Sequence, residues 1–378
     1  MSTPRWTGSL QLDQAPPLAV PTTFFVTAPI AAFAAGGLLL AYGASALTSN
    51  WAPQTLALTH LGTLGFLAMT MFGALYQLAP VVAGARVPAV GLSRAVHALL
   101  VLGLAGLVAG LITATTAVTM VALLSLALAV MLFMVPMARA LHRAPTRNAT
   151  VSGMRLAVSS LLLAMFLGLW MAHGHIGMPF PGSRSLWVQV HLGIGFLGWV
   201  GGLISAVSWQ VLPMFYGATP HSEASCRVTL AGIALGVALP TLVLALDFAG
   251  VLPASWPEPS RLAALCALPA VIAVWCLQPF WALRGIAIAR HRESPSATAT
   301  RREPALLARR ARIRGAIRPA LGPRTPAVRP ASEPGRRLAR HLGLGRADRA
   351  RDAESDRPVP GVVPPFLARP RTGSGALA

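Results

Sequence analysis

The chain has 378 residues, of which 54% are hydrophobic and only 11% are charged. Soluble globular domains carry roughly 25% charged residues, so this composition excludes an ordinary soluble enzyme and indicates a protein that crosses a membrane several times. The formal net charge is +20, but the basic residues lie in short loops and in a proline-rich C-terminal tail. We therefore expect the lipid bilayer as a partner and do not expect nucleic acid.

Eight apolar stretches are each long enough to cross a bilayer, which takes roughly 20 residues. In chain order they lie near 22–48, 57–83, 94–114, 116–139, 155–174, 187–216, 228–250 and 262–288. The turn between the third and fourth stretches is very short, and one long kinked helix is the competing interpretation there. The predicted fold class is all-α, a polytopic transmembrane bundle of about eight helices.

The arginines between these stretches are unevenly divided between the two sides of the membrane. Ten lie on one side, together with both chain termini, whereas the other side has only Arg184 and Arg261. We call these the Arg-rich side and the Arg-poor side. Because cytoplasmic loops are enriched in arginine, the Arg-rich side is predicted to be cytoplasmic, in a bacterial inner membrane, and the Arg-poor side periplasmic.

An internal repeat relates the second and sixth stretches. Residues 60–66 read HLGTLGF and residues 191–196 read HLGIGF, and each motif is followed by a Gln-x-x-Pro segment, at 77–80 and 210–213. A repeat of this length contains four helices, and the two copies have the same topology. The predicted organisation is an N-terminal cytoplasmic segment, two four-helix repeats and a tail, with boundaries at 1–21, 22–149, 150–291 and 292–378.

The tail differs in character from the rest of the chain. Residues 292–378 are rich in arginine, proline and alanine and contain no apolar run of spanning length. Such a segment buries too little apolar surface to offset its ordering entropy, so it is predicted to be disordered. Its composition also resembles the product of a GC-rich gene that is translated in the wrong frame. A frameshift near residue 292 is therefore a second hypothesis for the origin of the tail.

Histidines in and beside the spans are the main candidates for chemistry. Ionisable residues within spans are costly and are usually functional, and neutral imidazole is a ligand of haem iron and of copper. The candidates at the Arg-poor helix ends are His60, His173, His175 and His191. His60 and His191 are related by the repeat and are the candidate metal ligands, while Gly62 and Gly65 beside His60 would leave room for a flat macrocycle. Helix capping or interhelical hydrogen bonding is the alternative role for these histidines.

The second stretch resembles the second helix of haem–copper oxidase subunit I (cytochrome c oxidase subunit I) in the order of His60, Met69, Phe72, Gly73 and Pro80. The four-helix repeat resembles the four-helix arcs of the same family. Residues 197–200 and 208–215 are similar to the reduced, oxidase-like membrane proteins related to NnrS. The resemblance covers about residues 20–290.

The resemblance implies a fold of two four-helix arcs, where the family has three. By this resemblance His60 matches the low-spin haem ligand, and His191 lies on the helix that bears a copper ligand. The resemblance implies haem b as a cofactor, with copper in second place, and a redox partner or another membrane subunit in respiratory or nitric oxide metabolism. The His-Pro-Glu-Val-Tyr pattern of the family's sixth helix is absent, since Leu192 and Gly193 follow His191.

The tenth helix, which supplies the remaining haem ligands of the family, has no counterpart among the eight stretches. Oxygen reduction and proton pumping are therefore not expected, and an enzymatic activity is left open. We expect His60 and His191 to face inward at similar depth but to serve separate sites. A transporter or channel and a non-redox membrane scaffold are the alternative functions.

Overall fold

The computed structural model describes residues 14–172, 174, 176 and 182–293. Within that part of the chain, eight helices are long and apolar enough to cross a membrane, which confirms the predicted all-α polytopic bundle. They are α1 (Ala19–Leu47), α2 (Pro53–Ala83), α3 (Val90–Thr113), α4 (Thr116–His142), α5 (Ala149–Ala172), α6 (Arg184–Tyr216), α7 (Glu223–Phe248) and α8 (Pro259–Arg290). The described ranges contain no β-strand. The candidates His173 and His175, and nearly all of the predicted tail, lie outside the described residues.

The third and fourth stretches form two separate helices, so the alternative of one kinked helix is wrong. Ala114 adopts a left-handed conformation with φ 52°, which ends α3, and α4 begins two residues later. Two glycines of α3 let the resulting hairpin pack closely. A Cβ on Gly103 would lie 2.7 Å from Leu126 Cγ, and one on Gly110 would overlap Thr119. Small residues at helix contacts allow such close packing of backbones inside a membrane.

The helices of both repeats pack in corresponding pairs. In the first, α1 packs against α2 and α3 against α4; in the second, α5 packs against α6 and α7 against α8. The packing of α4 against α5 joins the two sets. The repeats share a core rather than forming separate compact units. In that core Phe72 of α2 stacks on Phe133 of α4, with ring centroids 3.9 Å apart, and meets Trp199 of α6 edge-on at 6.1 Å.

Three spans contain a π-helical segment, in which the turn is widened by one residue. The segments are Leu61–Ala68 in α2, Ile194–Gly201 in α6 and Ala273–Leu277 in α8. The first begins immediately after His60 and the second begins three residues after His191. Widened turns are rare and often occur at functional sites. Here the segments of α2 and α6 occupy nearly matching positions in the two repeats, whereas the segment of α8 has no counterpart in α4.

Several polar side chains inside the bundle hold helices together. His97 of α3 shares a hydrogen bond of 2.7 Å between its Nε2 and Thr27 Oγ1 of α1. Trp209 of α6 donates its indole N–H to Gln278 Oε1 of α8, also at 2.7 Å, and the Gln278 amide donates in turn to Ser208 Oγ. We therefore interpret His97, Trp209 and Gln278 as structural residues. Their hydrogen bonds join neighbouring helices, and each donor of these bonds has an acceptor.

Candidate functional site

A cavity of about 330 Å³ lies between the two repeats. Five consecutive spans, α2 to α6, line it, and so do residues of the loop before α2. It occupies the half of the bundle toward the Arg-poor side, where α2 and α6 begin. His60 and His191 both line it, so the two predicted ligand residues face inward into one space. Its volume falls at the lower end of the roughly 300–1,000 Å³ typical of small-molecule sites.

His60 is held by its own helix. Its Nδ1 lies 2.7 Å from the carbonyl oxygen of Leu56, one turn earlier in α2. A carbonyl oxygen can only accept, so Nδ1 donates the hydrogen of this bond. The bond fixes the orientation of the ring, as backbone carbonyls do for many metal-binding histidines.

His191 is held by the neighbouring helix α5. Gly168 of α5 provides the space for its ring, since a Cβ there would lie 3.1 Å from His191 Cε1. Its Nδ1 is buried and has no hydrogen-bond partner among the described residues. Buried polar atoms are usually hydrogen-bonded, so this unsatisfied nitrogen is an unusual feature of the cavity wall.

The two imidazoles are close enough for their charges to repel one another if both are protonated. The His60 ring is held by a backbone carbonyl, and His191 has a buried Nδ1 without a partner among the described residues. The described residues bring no third His, Cys, Asp or Glu to them as a cluster that could hold a metal ion.

The predicted glycines lie away from this cavity. Gly65 packs against α1 and α3, where its Cβ would lie 2.8 Å from Leu104 and overlap Ala31. Gly62 meets no heavy atom within 4 Å among the described residues and does not border the cavity. Gly168 of α5 and Gly195 of α6 line it instead. A Cβ on Gly195 would meet nothing within 4 Å in the described part of the chain, so this glycine leaves open space beside His191.

Two further residues of the cavity wall were missed by the sequence analysis. Trp199 is 4% exposed, and its indole N–H has no acceptor in the described part of the chain. Arg184, the first residue of α6, borders the cavity at its Arg-poor end. The spacing of four residues from His191 to Gly195 and on to Trp199 could have identified the first of them, because residues four apart share a helix face.

Titratable groups outside the spans have local explanations. His221, in the loop between α6 and α7, has both ring nitrogens buried with no partner in the described ranges, and this burial lowers its pKa. The Glu258 carboxylate accepts hydrogen bonds from the Ser260 hydroxyl and from the Arg261 backbone N–H, at the start of α8, and these bonds lower its pKa. Neither group borders the cavity.

Comparison of the chain with protein-family models, with curated proteins and with solved structures gives no match.

Proposed function

We propose that this multi-pass membrane protein binds haem b in the cavity between its two repeats and acts in respiratory or nitric oxide metabolism, as the resemblance to haem–copper oxidase subunit I implies. The observation that carries the proposal is the pair of imidazoles, His60 and His191, which come from equivalent positions of the repeat and line one cavity. We also propose that the Arg-rich side is cytoplasmic and that the membrane is the bacterial inner membrane.

The residues present fit a haem on two counts. The buried Nδ1 of His191 lacks a partner among the described residues, and Gly195 leaves space beside it. His60 would hold the iron, while the Leu56 carbonyl keeps its ring in place. A bound haem supplies a one-electron redox centre. The protein contributes the orientation of the ligand and an apolar wall that excludes water.

The visible absorption spectrum of the purified protein tests this proposal. The wild-type protein should show a Soret band, and a pyridine haemochrome spectrum should identify haem b. His60→Ala should abolish the band, whereas His191→Ala should retain most of it, because by the resemblance His60 matches the haem ligand and the two histidines serve separate sites. His142→Ala is the matched control, since His142 is exposed at the opposite end of α4 and its loss should change nothing.

A transporter is the second candidate, because the cavity lies at the interface of two repeats. In many transporters the substrate site occupies this position. Substrate-dependent uptake into vesicles, from a wild-type protein that shows no Soret band, would favour this function over the first.

A further inference from the structure

A second, larger hollow lies on the outside of the first repeat. It has a volume of about 650 Å³ and runs between α1 and α3, with α2 beneath it. We call it the outer groove. Apart from Thr27, Tyr42 and Thr113, the described residues that line it are apolar. The hydroxyls of Thr27 and Thr113 already donate to carbonyl oxygens one turn earlier in their own helices. The outer groove therefore suits an apolar occupant.

The outer groove is closed at its deep end and along its floor. At the deep end, His97 of α3 shares its hydrogen bond of 2.7 Å with Thr27 of α1. The His97 ring also meets the Phe24 ring edge-on, with centroids 5.3 Å apart. These two contacts tie α1 to α3 in the half of the membrane toward the Arg-rich side. One residue from each of the three helices closes the floor: Ala31, Leu61 and Leu104.

The length and depth of the outer groove match one leaflet of a bilayer. It ends at Tyr42 and Thr113, which lie at the Arg-poor ends of α1 and α3. Its wall on α3, from Val101 to Thr113, is roughly 18 Å long, and half of the hydrocarbon core of a bilayer is roughly 15 Å thick. A transmembrane helix of a partner would continue through the other leaflet, where His97 already joins α3 to α1. A lipid tail, in contrast, ends at the middle of the membrane.

Small residues make this space. They alternate with larger apolar residues along the two walls: Ala31, Ala34, Gly37 and Ala41 of α1, and Ala105 and Ala109 of α3. A Cβ on Gly37 would meet no heavy atom within 4 Å among the described residues. Atoms that border an unfilled space lose their dispersion contacts on that side, and water inside the hydrocarbon core would find few groups to bond here. The groove is therefore filled by the surrounding hydrocarbon.

We propose that the outer groove is a binding site for one acyl chain of a phospholipid in the Arg-poor leaflet. The chain enters between Tyr42 and Thr113, so that the head group stays at the membrane surface, and its methyl end lies over Ala31 and Leu104. The bound chain contacts α1, α2 and α3 together and fills the space that their small residues leave. The inference is independent of haem binding, because the outer groove and the cavity between the repeats share no lining residue in the described part of the chain.

The lipid that stays with the purified protein tests this proposal. After extensive exchange into detergent, mass spectrometry of the intact wild-type protein should show a species that carries one phospholipid. The double variant Gly37→Leu with Ala105→Leu adds two side chains to the groove and should lose that species. Gly36→Leu is the matched control, because a Cβ on Gly36 also meets nothing within 4 Å among the described residues, yet Gly36 does not line the groove. This variant should keep the phospholipid.

A second measurement needs only the wild-type protein. In vesicles that contain a phosphatidylethanolamine with a photoreactive diazirine at the end of one acyl chain, cross-links should concentrate near Ala31 and Leu104. Leu124 of α4 and Leu242 of α7, which are exposed on other helices, should be labelled much less.

Equal labelling of all these positions would overturn the proposal. A wild-type protein that keeps no lipid, or one that keeps an isoprenoid quinone instead of a phospholipid, would also overturn it. Loss of the phospholipid from Gly36→Leu as well as from the double variant would show that the retained lipid lies elsewhere. A lipid-free dimer that the double variant disrupts would assign the groove to a second copy of the chain instead.

Discussion

The close packing of α5 against α6 should depend on Gly153 having no side chain. A Cβ added to Gly153 would lie 2.6 Å from Ala206 Cβ, and the other atoms nearest to it are 3.5 Å away. Carbon atoms in contact are usually about 3.5–4.0 Å apart, so Gly153→Ala should push the helices apart by roughly 1 Å. Overpacking of this kind costs about 1–3 kcal/mol, and the better helix propensity of alanine offsets up to about 1 kcal/mol of that cost.

The compensating swap makes this prediction specific. The double variant Gly153→Ala with Ala206→Gly moves the methyl group from α6 to α5. The contact between the two helices then contains a single methyl group, as it does in the wild-type protein. We expect Gly153→Ala to lower the free energy of unfolding by about 1–2 kcal/mol, and the double variant to be more stable than the sum of the two single changes predicts. Gly193→Ala is the control, since its Cβ meets no heavy atom within 4 Å among the described residues.

Unfolding of the detergent-solubilised protein, followed by circular dichroism, measures these differences. If Gly153→Ala is as stable as the wild-type protein, or if the double variant shows no coupling, then α5 and α6 do not pack as described. The wall of the cavity formed by these two helices would then need a different arrangement.

Three further outcomes are expected. In a cysteine-free background, a cysteine at Ser185 should be labelled by an impermeant reagent from the periplasm and one at Arg147 should be protected, whereas reversed labelling would refute the orientation. Because burial lowers the pKa of His221, the unfolded state binds a proton more readily than the folded state, and the stability of the protein should fall as pH drops below about 6.5. Melting curves between pH 7 and pH 5 should show a smaller fall in melting temperature for His221→Phe than for the wild-type protein. Equal falls in the two proteins would contradict this prediction. Phe72→Ala should cost about 3–5 kcal/mol, because Phe72 is 0% exposed and stacks on Phe133; a loss below 1 kcal/mol would count against that packing.

Composition and span length were sufficient to predict the helices. The eight stretches read from the sequence match the eight helices within a few residues at most ends, because a bilayer requires long apolar runs that little else produces. The break between α3 and α4 was harder to place. It depends on Ala114 adopting a left-handed conformation. Residues other than glycine seldom adopt this conformation, so the residue type at position 114 did not indicate the break.

The histidines of the site were predictable and the glycines beside them were not. His60 and His191 were singled out because ionisable residues in spans are rare and because the repeat pairs them. Gly62 and Gly65 were chosen for their closeness in sequence, yet Gly65 packs against α1 and α3 and neither glycine lines the cavity. Gly168 belongs to another helix altogether, and a sequence without known contacts gives no signal for it.

The π-helical segments were also absent from the sequence analysis. Their hydrophobic pattern is that of an ordinary apolar helix, and the one-residue widening depends on how the segment packs against its neighbours. The segment in α6 ends just before Gly202, and within it Gly198 approaches Ser160 so closely that a Cβ would lie 2.8 Å from Ser160 Cβ. Such contacts are properties of the assembled bundle.

The position of the cavity between the repeats bears on how the protein is made. Its walls come from α2 through α6, so the space does not exist while only the first four helices have entered the membrane. A molecule held there can arrive only after synthesis has passed residue 200 and α6 has taken its place beside α5. Loading is then a late step of biogenesis, and a chain truncated after α4 would lack the two walls that α5 and α6 contribute to the cavity.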